Sequence, residues 1–509
     1  MQLKITFSVL LAGIFIALST QDAEALPLSK RNNGMITLPL RRVEHLRSDV
    51  HPQIYLQQHI NRGRRRVARM TGRAEPSSEH LKRELHKRVL AVEGPESLWK
   101  RYSRVGAGNK GSKTNGNALS ASSSANGKNN SKNKAASSKG KKGNAAGNAA
   151  NQTVPATPEI PAGVTAAGNP TAGDSLGLDI EAQDVGYLAT VQMGTPPQDY
   201  LILMDSGSAD LWVGSDNCQS SAGGGCGNHN FLGTSTSSSF VDTQKPFSIT
   251  YGTGQVSGSI IQDNLAIAGL ALPGHTFGVA TTESVDFSDD STPFDGLMGL
   301  AQSNPLSEQK TATPIEALAT AGLVKSPITS YKISRLADGK NDGEITFGGT
   351  DPTKFDAATV TNLDNVSQQG FWEAAMDAVT VDGTDTGLAG RTAILDTGTT
   401  LIVAPATDAA AVHNLIPGSQ SDGQGGFTVP CTTTASVALT FGGKSFAIEP
   451  QDIAFQPVDP NDPTGDCTSG ITSGDVGGAT EWLVGDVFLK NAYFSTDVAQ
   501  NTLSLAKLV

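Results

Sequence analysis

Two aspartate residues occur in the same local pattern, in which a short apolar run is followed by Asp, a hydroxyl residue and Gly. The first is Asp205, which follows residues 201–204 (LILM), and the second is Asp396, which follows residues 393–395 (AIL). Short apolar runs that end at turn residues are typical of buried strands. The sequence therefore predicts one carboxylate at the end of each of two buried strands, with the glycine making a tight turn.

Paired carboxylates of this kind have a definite chemistry. Two carboxyl groups about 3 Å apart cannot both ionise, so they share one proton and titrate as a pair. The charged member can activate a water molecule, and the protonated member can polarise a carbonyl group. Because this chemistry needs no metal and no cofactor, we expect neither. Four hydroxyl groups are expected to hold the carboxylates in place, those of Ser206, Ser208, Thr397 and Thr399.

The surroundings of the two aspartates also repeat. Two apolar residues and a glycine end at Gly299, 94 residues after Asp205, and at Gly485, 89 residues after Asp396. Matching features at similar spacing are typical of a duplicated domain. We therefore expect two related halves, each of which supplies one carboxylate.

A third Asp-Thr-Gly copy begins at Asp385, but Leu388 stands where the other two copies have a second hydroxyl residue. It follows Asp382 and Gly383, a dipeptide typical of tight hairpin turns. We interpret this copy as a surface hairpin without a chemical role.

Charge divides the chain into two unlike parts. Residues 1–150 carry 27 basic and 9 acidic side chains, a net charge of +18, whereas residues 151–509 carry 11 basic and 40 acidic side chains, a net charge of −29. The acidic part would repel phosphate, so nucleic acid is not expected as a partner. A basic tail that binds nucleic acid is the alternative for the first part, but a cationic segment that covers its own anionic body is favoured.

The first 25 residues are predicted to be a secretory signal peptide. Lys4 precedes an apolar run over residues 5–18, and residues 23–25 (AEA) form an A-x-A cleavage pattern. A spanning helix needs about 20 apolar residues. This run is shorter and no later run is long enough, so no membrane anchor is expected.

Residues 26–173 are predicted to be a basic propeptide, with a basic stretch that includes residues 64–66 (RRR). Further on, Leu81, Leu85 and Val89 recur at four-residue spacing among basic residues, which predicts a short helix. Residues 106–150 consist mainly of Gly, Ser, Asn, Ala and Lys. That composition offers too little apolar surface to offset chain entropy, so we expect a disordered linker there.

The cysteines and one sequon fit a secreted chain. Four cysteines allow three pairings, and nearest-neighbour pairing is favoured, Cys218 with Cys226 and Cys431 with Cys467. There is no C-x-x-C spacing, so zinc or redox chemistry at cysteine is not expected. Asn365 begins an Asn-Val-Ser sequon and is a candidate for glycosylation.

A hairpin is predicted shortly after the first aspartate. Residues 247–251 (FSITY) alternate apolar and polar side chains, as a half-exposed strand does, and Gly252 and Gly254 supply a turn. A two-stranded flap of this kind can open to admit an extended peptide and close to exclude water.

Seven motifs are specific in combination. They are residues 194–198 (GTPPQ), 205–208 (DSGS), 211–213 (LWV), 251–254 (YGTG), 294–300 (FDGLMGL), 396–399 (DTGT) and 482–489 (WLVGDVFL). On these motifs the chain resembles the pepsin family of aspartic endopeptidases over residues 187–509, and within it the secreted, polyporopepsin-like fungal type. Residues 38–42 (LPLRR) also resemble the start of many fungal propeptides.

The resemblance implies an all-β, bilobal fold, with two homologous β-lobes and the active-site cleft between them. It implies a peptidase domain over residues 174–509, with an N-lobe of about 174–350 and a C-lobe of about 351–509. Asp205 and Asp396 would be the catalytic dyad, and Ser206 and Thr397 would form a hydrogen-bonded grip between the lobes. The flap over the substrate would consist of Tyr251, Gly252, Thr253 and Gly254, with the Tyr251 hydroxyl near the Trp212 indole. The two disulfides match loops of the family.

The function expected from these features is hydrolysis of protein or peptide substrates at acidic pH by a secreted monomer, with the vacuole as the alternative location. The chain would be made as a zymogen whose own propeptide is an intramolecular inhibitor. The alternative is a catalytically silent binding protein on the same scaffold. Loss of one aspartate or of the flap tyrosine would mark it, and the sequence retains Asp205, Asp396 and Tyr251.

Overall fold

The computed structural model describes residues 36–43, 51–94, 164–165, 178–181, 186–252, 254–290, 292–474 and 479–509, with the backbone alone for the three short segments 36–43, 164–165 and 178–181. The predicted signal peptide and the predicted linker over residues 106–150 lie outside this part of the chain. All described residues except Glu93 and Gly94 belong to one compact unit.

Two helices before the acidic body are the longest that the structure describes. Helix α1 spans Pro52–Met70 and helix α2 spans Ser78–Glu93. Helix α1 begins where His51 accepts a hydrogen bond from the Gln53 backbone N–H through Nδ1 (3.2 Å), and proline suits its first position because it lacks an N–H. Helix α2 confirms the helix predicted around Leu81, whereas α1 was not predicted.

The remaining helices are short connections between strands. They are α3 Val285–Ser288, α4 Ser303–Leu306, α5 Pro314–Thr320, α6 Ala406–His413, α7 Pro450–Ile453 and α8 Asp486–Leu489, with two 3₁₀ turns at Leu336–Asp338 and Ala357–Thr359. Among the described residues, no helix combines the length and the apolarity needed to cross a bilayer.

Strands form most of the ordered structure. In chain order they are β1 Ile36–Val43, β2 Val164–Thr165, β3 Leu178–Glu181, β4 Gly186–Met193, β5 Gln198–Asp205, β6 Leu211–Ser220, β7 Val241–Thr250, β8 Gln255–Ile267, β9 Leu270–Glu283, β10 Gly296–Gly299, β11 Ile328–Lys332, β12 Glu344–Phe347, β13 Thr361–Asp364, β14 Glu373–Met376, β15 Ala378–Val381, β16 Thr384–Asp385, β17 Arg391–Leu395, β18 Ile402–Ala404, β19 Gln420–Ser421, β20 Phe427–Pro430, β21 Val437–Phe441, β22 Lys444–Ile448, β23 Ala454–Pro457, β24 Asp466–Ser469, β25 Ile471–Ser473, β26 Glu481–Val484, β27 Tyr493–Asp497 and β28 Thr502–Ala506. The fold is therefore all-β, as predicted.

These strands form four sheets. The largest runs β13-β28-β27-β11-β12-β1-β3-β4-β5-β10-β6-β9-β8-β7, with β2 beside β1, and so joins both halves of the body. The other three belong to the second half, in the orders β14-β17-β26-β18-β25, β16-β15-β21-β22 and β19-β20-β24-β23. The two halves share one continuous sheet. The first half lies wholly within that sheet and the second half adds the other three sheets, so the body is bilobal, as expected.

Strand β1, which precedes the body, is part of the shared sheet. Its Leu38 pairs with Ile345 of β12 in an antiparallel register, and its Leu40 pairs with Leu178 of β3 in a parallel register. The segment predicted to be removed therefore supplies a strand of the shared sheet, between β12 and β3.

The structure confirms two local predictions. It pairs Cys218 with Cys226 and Cys431 with Cys467. The third Asp-Thr-Gly copy begins at the last residue of β16. This strand forms a hairpin with β15, in which Asp382 (φ 49°) and Gly383 (φ 78°) make a turn with two positive φ angles.

Candidate active site

Each of the two aspartates stands at the end of a strand that is flanked by its repeated partner. Asp205 ends β5, and its register partner in the parallel strand β10 is Gly299. In the second half, Asp396 follows β17, whose Leu395 pairs in parallel register with Val484 of β26. The repeat seen in the sequence is thus a repeated pair of parallel strands, and each pair delivers one carboxylate to the same place.

The two carboxylates are held by matching hydrogen bonds. Asp205 accepts from the Gly207 backbone N–H (2.9 Å) and from the Ser208 hydroxyl (2.6 Å). Asp396 accepts from the Gly398 backbone N–H (3.0 Å) and the Thr399 hydroxyl (2.6 Å) in the same way. Both aspartate residues have no exposed surface, so these donors replace the water that a charged carboxylate would otherwise need.

Glycine is required in both loops because the loops cross closely. A Cβ atom at residue 207 would lie 2.3 Å from Asp396 Oδ1, and a Cβ atom at residue 398 would lie 2.3 Å from Asp205 Oδ1. Any side chain at either position would therefore collide with the carboxylate of the opposite loop.

A reciprocal set of hydrogen bonds ties the loops together beneath the carboxylates. The Ser206 hydroxyl donates to Leu395 O (3.0 Å) and accepts from the Thr397 backbone N–H (2.9 Å). The Thr397 hydroxyl donates to Met204 O (2.8 Å) and accepts from the Ser206 backbone N–H (2.9 Å). Serine at position 206 thus makes the same two bonds as threonine at position 397.

Arg66 of helix α1 forms hydrogen bonds and ion pairs with both aspartates. Its Nη2 donates to Asp205 Oδ1 (2.5 Å) and to Asp396 Oδ1 (2.7 Å), and its Nε lies 2.5 Å from Asp396 Oδ2. Burial lowers the pKa of this guanidinium, but the two carboxylates outweigh burial and raise it above its ordinary value. The charged side chain therefore occupies the place where a reacting group would have to sit.

The Asp396 carboxyl group titrates differently from free aspartate. Burial and the neighbouring Asp205 carboxylate raise the pKa of Asp396 to about 6, although Arg66 opposes the rise. A carboxyl group with this pKa holds its proton at acidic pH, as the shared-proton chemistry of an aspartate pair requires.

The predicted flap is the hairpin of β7 and β8. Phe247, Ile249 and Tyr251 are buried and the residues between them are exposed, which confirms the alternation. The Tyr251 hydroxyl accepts a hydrogen bond from the Trp212 indole N–H (2.8 Å), and burial, Asp210 and Asp205 raise the pKa of this tyrosine well above its usual range. Gly252 is described, whereas Thr253 lies outside the described residues.

Helix α1 packs along the second half of the body and against the flap. Val67 and Met70 share an apolar cluster with Phe371, Ile394, Val403 and Leu483. A Cβ atom at Gly63 would lie 2.5 Å from Val403 Cγ2, and one at Gly252 would lie 2.8 Å from the Arg62 carbonyl oxygen. These close approaches fix the depth of the helix and so bring Arg66 to the aspartates.

Two further ion pairs join the basic segment that contains α1 and α2 to the acidic body. Arg73 Nη1 donates to Glu481 Oε2 (2.9 Å), and Arg88 Nη2 lies 2.7 Å from Asp422 Oδ2. The Arg88 side chain is 2% exposed and also contacts Gln57 of α1. The sequence shows this charge complementarity only as two opposite net charges. The structure shows which side chains form the ion pairs.

No role was predicted from the sequence for Arg66, Arg73 or Arg88. Arg66 lay within the noted run of three arginines, but nothing in the run distinguishes the member that reaches the dyad. The signal for α1 itself was present, since Pro52 suits the start of a helix and Leu56, Ile60 and Val67 fall on one helical face.

The candidate glycosylation site is engaged within the fold. Asn365 is 8% exposed, its amide donates to Asn501 Oδ1 (3.0 Å), and its Oδ1 accepts from the Ser367 and Glu373 backbone N–H groups. A glycan on this amide would require the side chain to leave its place, so Asn365 is a candidate only for modification before folding is complete.

Comparison with known proteins gives a consistent result. The family model described as eukaryotic aspartyl protease matches residues 186–508. The probable aspartic-type endopeptidase CTSD of Arthroderma benhamiae is 37% identical over 342 residues, which is 67% of this chain and 64% of that protein. The major aspartyl peptidase 1 of Cryptococcus neoformans is 31% identical over 347 residues, or 64% of this chain and 69% of that protein.

Similarity extends beyond the fungi. Pepsin A of Sus scrofa is 32% identical over 330 residues, which covers 64% of this chain and 81% of that protein. The match to the Arthroderma protein spans 64% of its length, so what that whole protein does is not carried over to this chain by similarity alone.

Proposed function

The chain belongs to the eukaryotic aspartyl protease family, and we propose that it is an acid endopeptidase made as an inactive precursor. The observation that carries this proposal is the pair Asp205 and Asp396, which is bridged by a guanidinium of the preceding segment. The substrate would be an extended protein or peptide chain bound between the aspartates and the flap.

In the reaction we propose, Asp396 holds the proton and Asp205 is the base. A water molecule between them loses a proton to Asp205 as its oxygen attacks the peptide carbonyl carbon, while Asp396 gives its proton to the carbonyl oxygen. The tetrahedral intermediate then collapses. Asp205 gives its proton to the leaving nitrogen as the carbon–nitrogen bond breaks, and a hydroxyl group of the intermediate gives its proton to Asp396 as the product carboxyl group forms. The pair is then back in its starting state, with one shared proton.

The basic segment acts as an intramolecular inhibitor in this proposal. Arg66 occupies the dyad, Val67 and Met70 fill the adjacent apolar surface, and Arg73 and Arg88 add ion pairs to Glu481 and Asp422. Acidification protonates carboxylates and weakens each pair, so the segment loosens and can be cut. Residues 26–173 would be lost, and a monomeric enzyme would remain outside the cell or, as the alternative, in the vacuole.

The test is proteolysis by the purified chain after exposure to acid. We expect hydrolysis of denatured haemoglobin at about pH 3–4, with inhibition by pepstatin and no activity before the prosegment is removed. N-terminal sequencing of the product gives the processing site, expected between residues 171 and 183. A processed chain that binds peptides without cutting them would instead support the silent binding protein and would overturn the enzyme.

A further inference from the structure

Beside the dyad, a cavity of about 490 Å³ remains open between helix α1, the flap hairpin and the segment around residue 308. The prosegment contributes Arg66, Arg69 and Glu75 to its wall. Arg66 is held by the dyad, and Arg69 Nη2 lies 2.8 Å from Glu75 Oε1 of its own segment. All cationic side chains that line this cavity therefore belong to the part of the chain that leaves on activation.

The body contributes two carboxyl groups to the same cavity, Asp210 and Glu308, and they differ in what they do. Asp210 is 3% exposed and accepts from the Ser307 hydroxyl (2.7 Å) and from the backbone N–H groups of Glu308 (2.9 Å) and Gln309 (2.9 Å). Its oxygens are thus used to fix the backbone of this segment.

Glu308 is placed by that anchor, but its carboxylate has no partner among the residues that the structure describes. Its side chain is exposed on the cavity wall, and no described residue donates a hydrogen bond to its carboxylate or forms an ion pair with it. Once Arg66 and Arg69 have left, it is the one body carboxylate lining this cavity that is not already bonded within the described structure.

Apolar side chains also line the cavity that contains Glu308. Ile249 of the flap hairpin, Leu306 and Phe371 line the same cavity. A lysine or arginine side chain fits this combination, because its methylene stem can lie on apolar surface while its charged end reaches the carboxylate. An acidic side chain would meet a like charge with no cation of the body lining the cavity.

Resting on the proposed function, we propose that Glu308 selects substrates with a basic side chain on the side of the dyad that faces residues 248–250 of the flap hairpin. Glu308 is a specificity-determining residue in this proposal, and it takes no part in bond cleavage. The substrate class is then polypeptide with a lysine or arginine at one fixed position from the cut bond.

The experiment uses the acid-processed protein and peptides that differ at one position, which carries Lys, Met or Glu and is moved across both sides of the cut bond. Assays run at about pH 5.5, where exposed carboxylates are largely ionised. At one position we expect kcat/KM for the Lys peptide to exceed that for the Met peptide about tenfold. Glu308→Gln should remove this preference while changing cleavage of the Met peptide by less than about twofold, and Glu308→Lys should favour the Glu peptide.

Asp364→Asn is the matched control, since it removes an exposed carboxylate that does not line the cavity, and it should leave the preference intact. Equal loss for Lys and Met peptides in Glu308→Gln, or no position that prefers Lys, would overturn the proposal. Binding of the same peptides with an uncleavable reduced bond is measured in parallel. If no peptide is cut, the proposed function fails, and the Lys preference in binding still decides the role of Glu308.

Discussion

The two halves of the body hold their aspartates with the same hydrogen bonds, but they contact the preceding basic segment in different ways. The loops at Asp205 and Asp396 make corresponding bonds at corresponding distances, down to the hydroxyls at positions 208 and 399. Away from the loops, the second half supplies the apolar side chains on which helix α1 packs. It also supplies the acidic partners of Arg73 and Arg88, whereas the first half supplies the flap hairpin. The two halves are thus equivalent at the aspartate pair, and the basic segment contacts them where they differ.

The largest expected effect is a loss of kcat when either of the two equivalent aspartates is replaced. Asp205→Asn and Asp396→Asn should each lower kcat by about 10³-fold or more, because either change removes one partner of the acid–base pair. Steady-state kinetics on protein processed by a second protease measures this without relying on self-cleavage. Asp385→Asn alters the third copy of the pattern and should leave kcat unchanged. Full activity in either aspartate variant would show that the two aspartates are not both needed for the reaction.

A smaller effect is expected where the prosegment meets the dyad. Arg66→Ala removes the charge that compensates two buried carboxylates, and loss of one member of a buried ion pair costs about 3–5 kcal/mol. We expect the precursor to become active at a higher pH and at least about a hundredfold faster than the natural chain. Arg73→Ala, whose pair is partly exposed, should have an effect of about 1 kcal/mol or less.

The control for these two variants is Lys87→Ala, which breaks an exposed pair with Glu84 inside helix α2. Its activation rate, followed by gel electrophoresis over a pH series, should match that of the natural chain. An Arg66→Ala precursor that activates no faster would show that docking on the second half suffices for inhibition.

The reciprocal hydrogen bonds between the loops show whether the two halves contribute equally to the free energy of unfolding. Ser206→Ala leaves the Thr397 N–H and Leu395 O without their partner, and Thr397→Val does the same to the Ser206 N–H and Met204 O. Each buried unsatisfied group costs about 1–3 kcal/mol, so each variant, which leaves two such groups, should lose about 2–6 kcal/mol in urea unfolding. Ser206→Thr keeps both bonds and is the control. Unequal losses would show that one half carries the grip.

The smallest expected effect is on how stability depends on pH. Some buried groups reduce stability as the pH rises, and others reduce it as the pH falls. Burial raises the pKa of Glu283 to about 7 and that of Glu344 to about 8, in the latter case despite the nearby Lys354. A folded pKa above the unfolded value means that the contribution is complete below about pH 4.5 and is lost as the pH rises through 7 and 8.

Two histidines act in the opposite direction, one in each half. Burial lowers the pKa of His275 and of His413 to about 4. Their contribution is complete above about pH 6.5 and is lost as the pH falls through 4.

We therefore expect maximal stability between about pH 4.5 and 7. Urea midpoints over a pH series should show Glu283→Gln and Glu344→Gln recovering about 2 kcal/mol each at pH 8 relative to pH 5. A maximum at or above pH 8 would contradict the assignment. The mature domain's large negative charge adds to the loss at high pH through self-repulsion.

The sequence by itself determined the elements whose signals are local. An apolar run, an acid, a hydroxyl and a glycine fit within a few residues, so the ends of β5 and β17 could be predicted, and so could the flap hairpin, the turn at Asp382 and the pairing of near-neighbour cysteines. The family resemblance added the bilobal fold and the grip. The polyporopepsin-like subtype, the signal peptide, the processing boundary and the glycan on Asn365 stay predictions.

Only the tertiary structure decided which cation meets which carboxylate. Arg66 is separated from Asp205 by 139 residues and from Asp396 by 330, and no local spacing encodes such a contact. Its place follows from the close packing of Gly63 on Val403 and from the apolar seat of Val67 and Met70. In the same way, the burial of Asn365 and the free carboxylate of Glu308 depend on what packs around them, because the same side chain can be anchored, buried or left unpaired according to its neighbours in space.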